Sequence, residues 1–472
     1  MMNENQFSDE FHSLNELIQQ YENLRDGRAH AFLDEDSFEQ IIDYYDDQDQ
    51  LQYAIQAAEY GIEQFPYCSL LLLKKANLLI ETRHYQDALG ILERVEALDP
   101  MDINLHVLKA DVYLGMNQHE KAIKLLETQA LRFEGEDRTD LLLELADVYD
   151  DCEEFDKVFD CLKRVLEHEP GNEEALHKIC FWTEFTGRAE ESIRLHKAII
   201  DEHPYTELAW FNLGTAYQGL KLYEKAIDAY QYAIAVNDKF EYAYRNMADA
   251  YMRIRKYPEA IETLQRHLEI ARPEDVIYEA LGHCYEKQKK YDQARYYFRK
   301  AYHLNPDDER LYYRIASTFM QEENWPAAVK YLQTAHKINV LSLEYVLALC
   351  ECFIQQEQYK DALTHLLEGV RLHPASVRVR SCLVRCLFLA GFYEEGEVQL
   401  DRARKATGDK PVYQYYHCAL LLASGRTKEG LLQLDLALSA APRQVKKLIT
   451  LYPAALQHKG VIDLIARHKH NR

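Results

Sequence analysis

Glycine and proline are scarce in this 472-residue chain, at 17 and 12 residues. Long flexible linkers are therefore not expected. No run of eighteen apolar residues occurs, and the short stretch Leu70–Leu73 runs into Lys74 and Lys75. A membrane span is not expected. The opening MMNENQFSDEF has neither a basic segment nor an apolar one of signal-peptide type, so a cytoplasmic location is the expectation. Strand signals are missing, and with them any Gly-rich phosphate loop after a strand. G-x-S-x-G, H-E-x-x-H and C-x-x-C are also missing, so no catalytic residue, metal ligand set or cofactor is expected and the chain reads as a non-enzyme. Ten cysteines without metal spacing read mainly as core filling. Basic charge is short as well. The net charge of −23 argues against a nucleic-acid partner, which needs a basic footprint.

What the chain does contain is a period. Pro66, Pro100, Pro170, Pro204, Pro306, Pro374 and Pro442 fall at multiples of 34 residues, give or take two. A period of that length marks stacked supersecondary units. Aligned on it, twelve units appear: 35–68, 69–102, 103–138, 139–172, 173–206, 207–240, 241–274, 275–308, 309–342, 343–376, 377–410 and 411–442. Residues 1–34 and 443–472 read as capping helices with tails. In the unit from Glu207, Trp210, Leu213, Gly214 and Tyr217 mark one helical face. Tyr223, Ala226, Tyr230 and Ala233 mark a second after a break at Gly219–Leu222. The expectation is all-α, an α-solenoid of antiparallel helix pairs. Counting from each unit's first residue, position 8 is small (Ala76, Gly214, Gly282) and position 20 is alanine (Ala54, Ala226, Ala294). Position 17 is aromatic (Tyr85, Phe155, Tyr223) and is expected to fill the space the small residues leave. Two extra residues near Gly135-Glu136-Asp137-Arg138 read as a longer loop between units.

This pattern resembles the tetratricopeptide repeat over residues 35–442. Thr183 and Arg380 depart from it, standing where an aromatic and a bulky apolar residue are usual. The resemblance implies a right-handed superhelix whose first helices line a concave groove, and hence a protein-interaction scaffold or adaptor. A regulatory or assembly subunit using the whole superhelical surface is the alternative.

On that frame the groove residues occupy positions 2, 5, 6, 9, 12 and 13. The first and fourth units present acids there, among them Asp36, Glu39, Asp43, Asp46 and Asp47, then Asp140, Glu144, Asp147, Asp150 and Asp151. Residues 1–200 hold 44 acidic and 18 basic side chains. A basic protein or peptide partner is expected for this acidic groove, centred on Asp43, Asp147 and Asp150. The central units present Asn212, Arg245, Asn246, Asp249, Arg253, Arg310, Tyr313 and Arg314, a candidate peptide-binding set. Asn212 and Asn246 are similar to the asparagine ladder of the protein N-acetylglucosaminyltransferase repeats. The arginines resemble the carboxylate clamp of chaperone-binding repeats, or else they pair with Asp249 and Glu279 on neighbouring helices.

Overall fold

A computed structural model describes residues 4–28 and 32–470, so parts of both expected tails lie outside the described residues. Every regular element it contains among them is helical. Helix α1 spans Glu4–Arg25, and twelve helix pairs follow it. The first helices are α2 (Glu35–Asp47), α4 (Ser69–Glu81), α6 (Ile103–Gly115), α8 (Gly135–Asp151), α10 (Glu173–Thr186), α12 (Glu207–Gly219), α14 (Glu241–Arg253), α16 (Asp275–Lys287), α18 (Glu309–Gln321), α20 (Leu343–Gln355), α22 (Val377–Leu389) and α24 (Pro411–Ala423). Those used below among the second helices are α7 (His119–Gln129), α9 (Phe155–His168), α11 (Ala189–Glu202), α13 (Tyr223–Val236), α19 (Trp325–Ile338), α21 (Tyr359–Leu372) and α25 (Thr427–Ala440). The short α26 (Val445–Leu451) and α27 (Lys459–His470) close the chain, with Pro453 opening a 3₁₀ turn between them. The chain packs as two units, Met1–Ala250 and Tyr251–Arg472.

Each pair turns through one left-handed residue. Position 15 has positive φ in all twelve pairs, and only Gly187, Gly391 and Gly425 are glycine there. The other nine, from Asp49 (φ 57°) to Glu357 (φ 58°), accept the strain.

The small residue at position 8 is filled from position 24 rather than 17. A Cβ on Gly214 would lie 2.5 Å from the Tyr230 ring, and one on Gly282 would lie 2.6 Å from Phe298. The aromatic at position 17 instead meets the next first helix, as Tyr85 does at Gly115 and Phe155 does at Trp182, with rings stacked 5.3 Å apart. The reason is geometric: position 24 is two turns into the second helix, opposite the middle of the first, whereas position 17 opens the second helix beside the following unit.

A second device latches some pairs to the turn before them. Trp210 donates its indole N–H to the Pro204 carbonyl at 2.8 Å, and a ring nitrogen of His106 lies 3.0 Å from that of Pro100. Arg380 donates to the Pro374 carbonyl at 2.7 Å. All three stand at position 4, so Arg380 keeps the bond while replacing the apolar bulk. Thr183 is buried and turns its hydroxyl to the Ile179 carbonyl at 2.7 Å.

The Gly135–Arg138 segment is not a loop. It forms the first turn of α8, after a shortened α7, and Phe133 is buried behind it. At the ends, Ile18 and Tyr21 of α1 are buried with Phe38 and Tyr45, and Val461 of α27 is buried in the last cluster. Both terminal helices therefore cover apolar faces.

Candidate protein-interaction groove

Within Met1–Ala250, the residues expected at the groove separate into internal and outward ones. Asn212 is internal, at 2 % exposure. Its amide donates to the Leu176 carbonyl of α10 at 2.7 Å and to His196 Nε2 at 3.2 Å. It therefore cannot line a groove; position 6 here faces the preceding first helix, and burial makes its amide serve that interface. Asn246 is half-buried and bonds the Tyr230 hydroxyl, so neither rung of the expected asparagine ladder projects freely. Asp249 accepts from Gln218 Nε2 at 2.9 Å. Arg245 is exposed, with its guanidinium 5.8 Å from the Tyr242 ring centroid.

In Tyr251–Arg472 the basic residues are engaged. Arg310 is exposed, but its guanidinium forks onto Asp308 at 2.9 and 2.7 Å, on the residue that caps α18. Arg314 lies 3.9 Å from Glu279 and 3.6 Å from Glu286 of α16. Tyr313 donates to Glu344 at 3.0 Å. Arg253 is exposed on α14. Arg310 is thus held at its own helix start and Arg314 at the interface with α16, each with its carboxylate already supplied from the chain.

The acidic groove fares differently. Asp43 pairs with Lys74, which also reaches Glu39 at 3.4 Å. Asp147 pairs with Lys178 at 2.8 Å, while Asp150 is exposed. Lysine at position 6 thus bridges back to position 9 of the previous first helix. Lys74 and Lys178 answer Asp46 and Glu144 only in part. Burial, then the charges of Asp43 and Asp47, holds Asp46 above the usual carboxylate range. Burial alone raises Asp111, and burial with Asp111 and Asp147 raises Glu144. These are signs of uncompensated negative charge in a partly desolvated place. Between α2, α4 and α6 lies an open concavity with Leu70, Leu73, Val107 and Leu108 in its lining and Asp43, Asp46, Lys74 and Asn104 among its polar residues.

Two residues that the sequence reading passed over extend this face. Phe181 and Phe185 of α10 are 60 % and 57 % exposed, with rings stacked 5.9 Å apart. They stand at positions 9 and 13, the same positions as Asp147 and Asp151 in the unit before. The alignment could have found them, since apolar rings at outward positions are the exception to explain.

Burial pushes Cys161, Cys284 and Cys418 each up to about 12. Among the described residues no helix is long and apolar enough to cross a membrane.

Comparison with known proteins points the same way over two stretches of the chain. A model of the tetratricopeptide repeat matches residues 79–137, and a model of the tetratricopeptide repeat protein 21 C-terminal ARM domain matches residues 215–338. Among curated proteins none matches. Similar solved structures include the C-terminal part of a TPR repeat-containing protein from Cytophaga hutchinsonii. It is 16% identical, with 54% of this chain and 99% of that one covered and a TM-score of 0.44. YrrB, described as a TPR protein with an unusual peptide-binding site, is 16% identical over 39% of this chain and 95% of its own, with a TM-score of 0.34. The Cut9–Hcn1 hetero-tetramer of APC/C is 13% identical over 88% and 98%, with a TM-score of 0.33. The 34-residue helix pairs, with two family models of tetratricopeptide repeat proteins matching separate stretches, support a tetratricopeptide repeat protein.

Proposed function

We propose that this protein is a non-catalytic interaction scaffold, and that the first helices of Met1–Ala250 take a basic segment of a protein partner. The carrying observation is the concavity that sets Asp43 and Asp46 beside an apolar floor, with the acidic run continuing through Asp111 and Glu144 on α6 and α8. A lysine- or arginine-rich segment would supply the missing positive charge, and its aliphatic residues would cover Leu70, Leu73 and Val107. The Phe181 and Phe185 rings suit a guanidinium or an apolar anchor. The test is fluorescence anisotropy with labelled Lys/Arg-rich peptides carrying leucine. Binding should weaken at least tenfold in Asp46→Lys/Glu144→Lys and fall steeply with salt. Equal binding by wild type and double variant would sink the reading.

The central set is proposed in reduced form. Arg245 and Asn246, with Asp249 beside them on α14, are candidates for a peptide backbone in the first unit, and Arg253 is a separate candidate in the second. A ligand carboxylate at Arg310 or Arg314 would have to displace Asp308 or Glu279 and Glu286.

A second reading, an assembly or regulatory subunit engaged over a wide surface, has one observation in its favour. Leu432 and Leu436 of α25 stand exposed on successive turns of a second helix, away from the groove positions. Capture of a partner that ignores the acidic-groove variants but is lost in Leu432→Ser/Leu436→Ser would support it.

A further inference from the structure

The second helices of Tyr251–Arg472 carry a cluster that protein recognition by the first helices does not use. His336 of α19 meets His365 and Glu368 of α21, with a ligand-type atom from each lying within 4.8 Å of the other two. The imidazoles meet edge to face with centroids 5.9 Å apart. Phe353 of α20 lies flat against His365, at 5.8 Å and an interplanar angle of 5°, and backs its ring. Nδ1 of His336 and Nδ1 of His365 are both buried without a hydrogen-bond partner.

Each ring thus has a nitrogen that nothing in the protein satisfies, and a buried polar atom in that condition calls for an explanation. His196, in the other unit, has both nitrogens bonded: Nδ1 lies 2.8 Å from the Ser192 carbonyl and Nε2 accepts from Asn212. His106, His119 and His283 each leave Nδ1 unpaired as well, but among the described residues His336 and His365 bring two such rings together beside a carboxylate. A cation bound through Nδ1 of each ring would give both unsatisfied nitrogens a partner.

We propose that His336, His365 and Glu368 form a binding site for a late first-row divalent cation, with zinc the ion to test. Two imidazoles and one carboxylate are a donor set that zinc accepts, and they leave a fourth position for water or a side chain brought by a partner. Two ligands sit one turn apart on α21, the i, i+3 spacing that places them on one face. The third comes from the second helix of the preceding pair. Drawing the three atoms to the roughly 3.3 Å edge of a tetrahedral zinc site needs rotation of side chains that are only partly buried. The bound ion would staple α19 to α21 and strengthen the contact between two neighbouring repeats, where stability in such arrays resides. This inference is independent of the proposed partner groove.

The test is titration of the full chain with zinc chloride at neutral pH, read by calorimetry, with cobalt(II) absorption reporting coordination. One ion per chain is expected, with a rise in thermal midpoint and a cobalt spectrum of four-coordinate intensity. Glu368→Gln should weaken binding at least tenfold and abolish the midpoint rise, while the metal-free variant keeps the wild-type circular dichroism. His336→Gln/His365→Gln should remove the site; should that variant misfold, Glu368→Gln alone decides. No one-to-one binding, or equal binding by wild type and Glu368→Gln, overturns the proposal.

Discussion

At position 24, ten of the twelve repeats carry an aliphatic residue or an aromatic in contact with position 8, and Ala58 takes the place in the first. His196 is the exception. Fully buried, it is pushed down to about 4 by desolvation, with its bond to Ser192 opposing. The unfolded chain takes up that proton near 6.5, and the folded chain not until about 4. The sign follows: stability is full above pH 6.5 and is lost as pH falls toward 4. Thermal melts of wild type and His196→Leu at pH 7.5 and 5 should show the variant losing less on acidification. Asn212→Ala leaves the Leu176 carbonyl and His196 without their donor, and should cost about 1–3 kcal/mol. Chemical denaturation of residues 1–250 in the full chain measures it. Position 15 offers the opposite effect. Lys221→Gly and Lys289→Gly remove the strain of a side chain at φ 60° and should each stabilise by about 1 kcal/mol. A fall in thermal midpoint for both would contradict the left-handed turn.

The helix pair is the scale at which small meets large. Gly214→Ala drives a methyl into the buried Tyr230 ring and Gly282→Ala one into Phe298. Overpacking of this kind costs about 1–3 kcal/mol. If the contact is the cause, Phe298→Leu should restore much of the loss in the Gly282→Ala background. A simple sum of the two losses would show that it is not. Helix starts were legible because punctuation is local: a capping side chain such as Asp308 or Asn172 bonds the first-turn N–H. The pairing of position 8 with 24 was not, since it depends on how two helices lie together. Gly135–Arg138 misled for a related reason: a glycine and a run of charges mark a loop locally, but they also suit the exposed first turn of a helix.

Over the whole molecule the charge is uneven, and the acidic third answers only part of its own charge. Asp46, Asp111 and Glu144 hold their protons above the ordinary range, so the folded state binds protons there more readily than the unfolded one. Their contribution to stability therefore grows as pH falls through the raised values, and their charge is a burden at neutral pH. Asp111→Asn and Glu144→Gln should raise the thermal midpoint at pH 7, with the gain shrinking toward pH 4 and with added salt. The same substitutions should weaken the proposed basic partner. Stability gained together with binding lost is the signature of a site kept for a ligand.

The sequence by itself determined the repeat. A 34-residue period, small residues at most positions 8 and 20 and a proline two residues after seven of the twelve second helices leave one way to bury the apolar stripes, because each rests on neighbours along the chain. It also determined the acidic face, since outward positions on a regular helix can be counted. Only the tertiary structure decided which side chains at those positions are spent on neighbours. Asn212 turned inward, Arg310 closed on Asp308, and Arg314 reached back to Glu279, whereas Phe181 and Phe185 stayed bare. It also brought His336 to His365, 29 residues apart and without motif spacing. The period fixes where a residue stands on its own helix; hydrogen bonds and ion pairs are settled between helices, by distances of a few ångströms that no count along the chain contains.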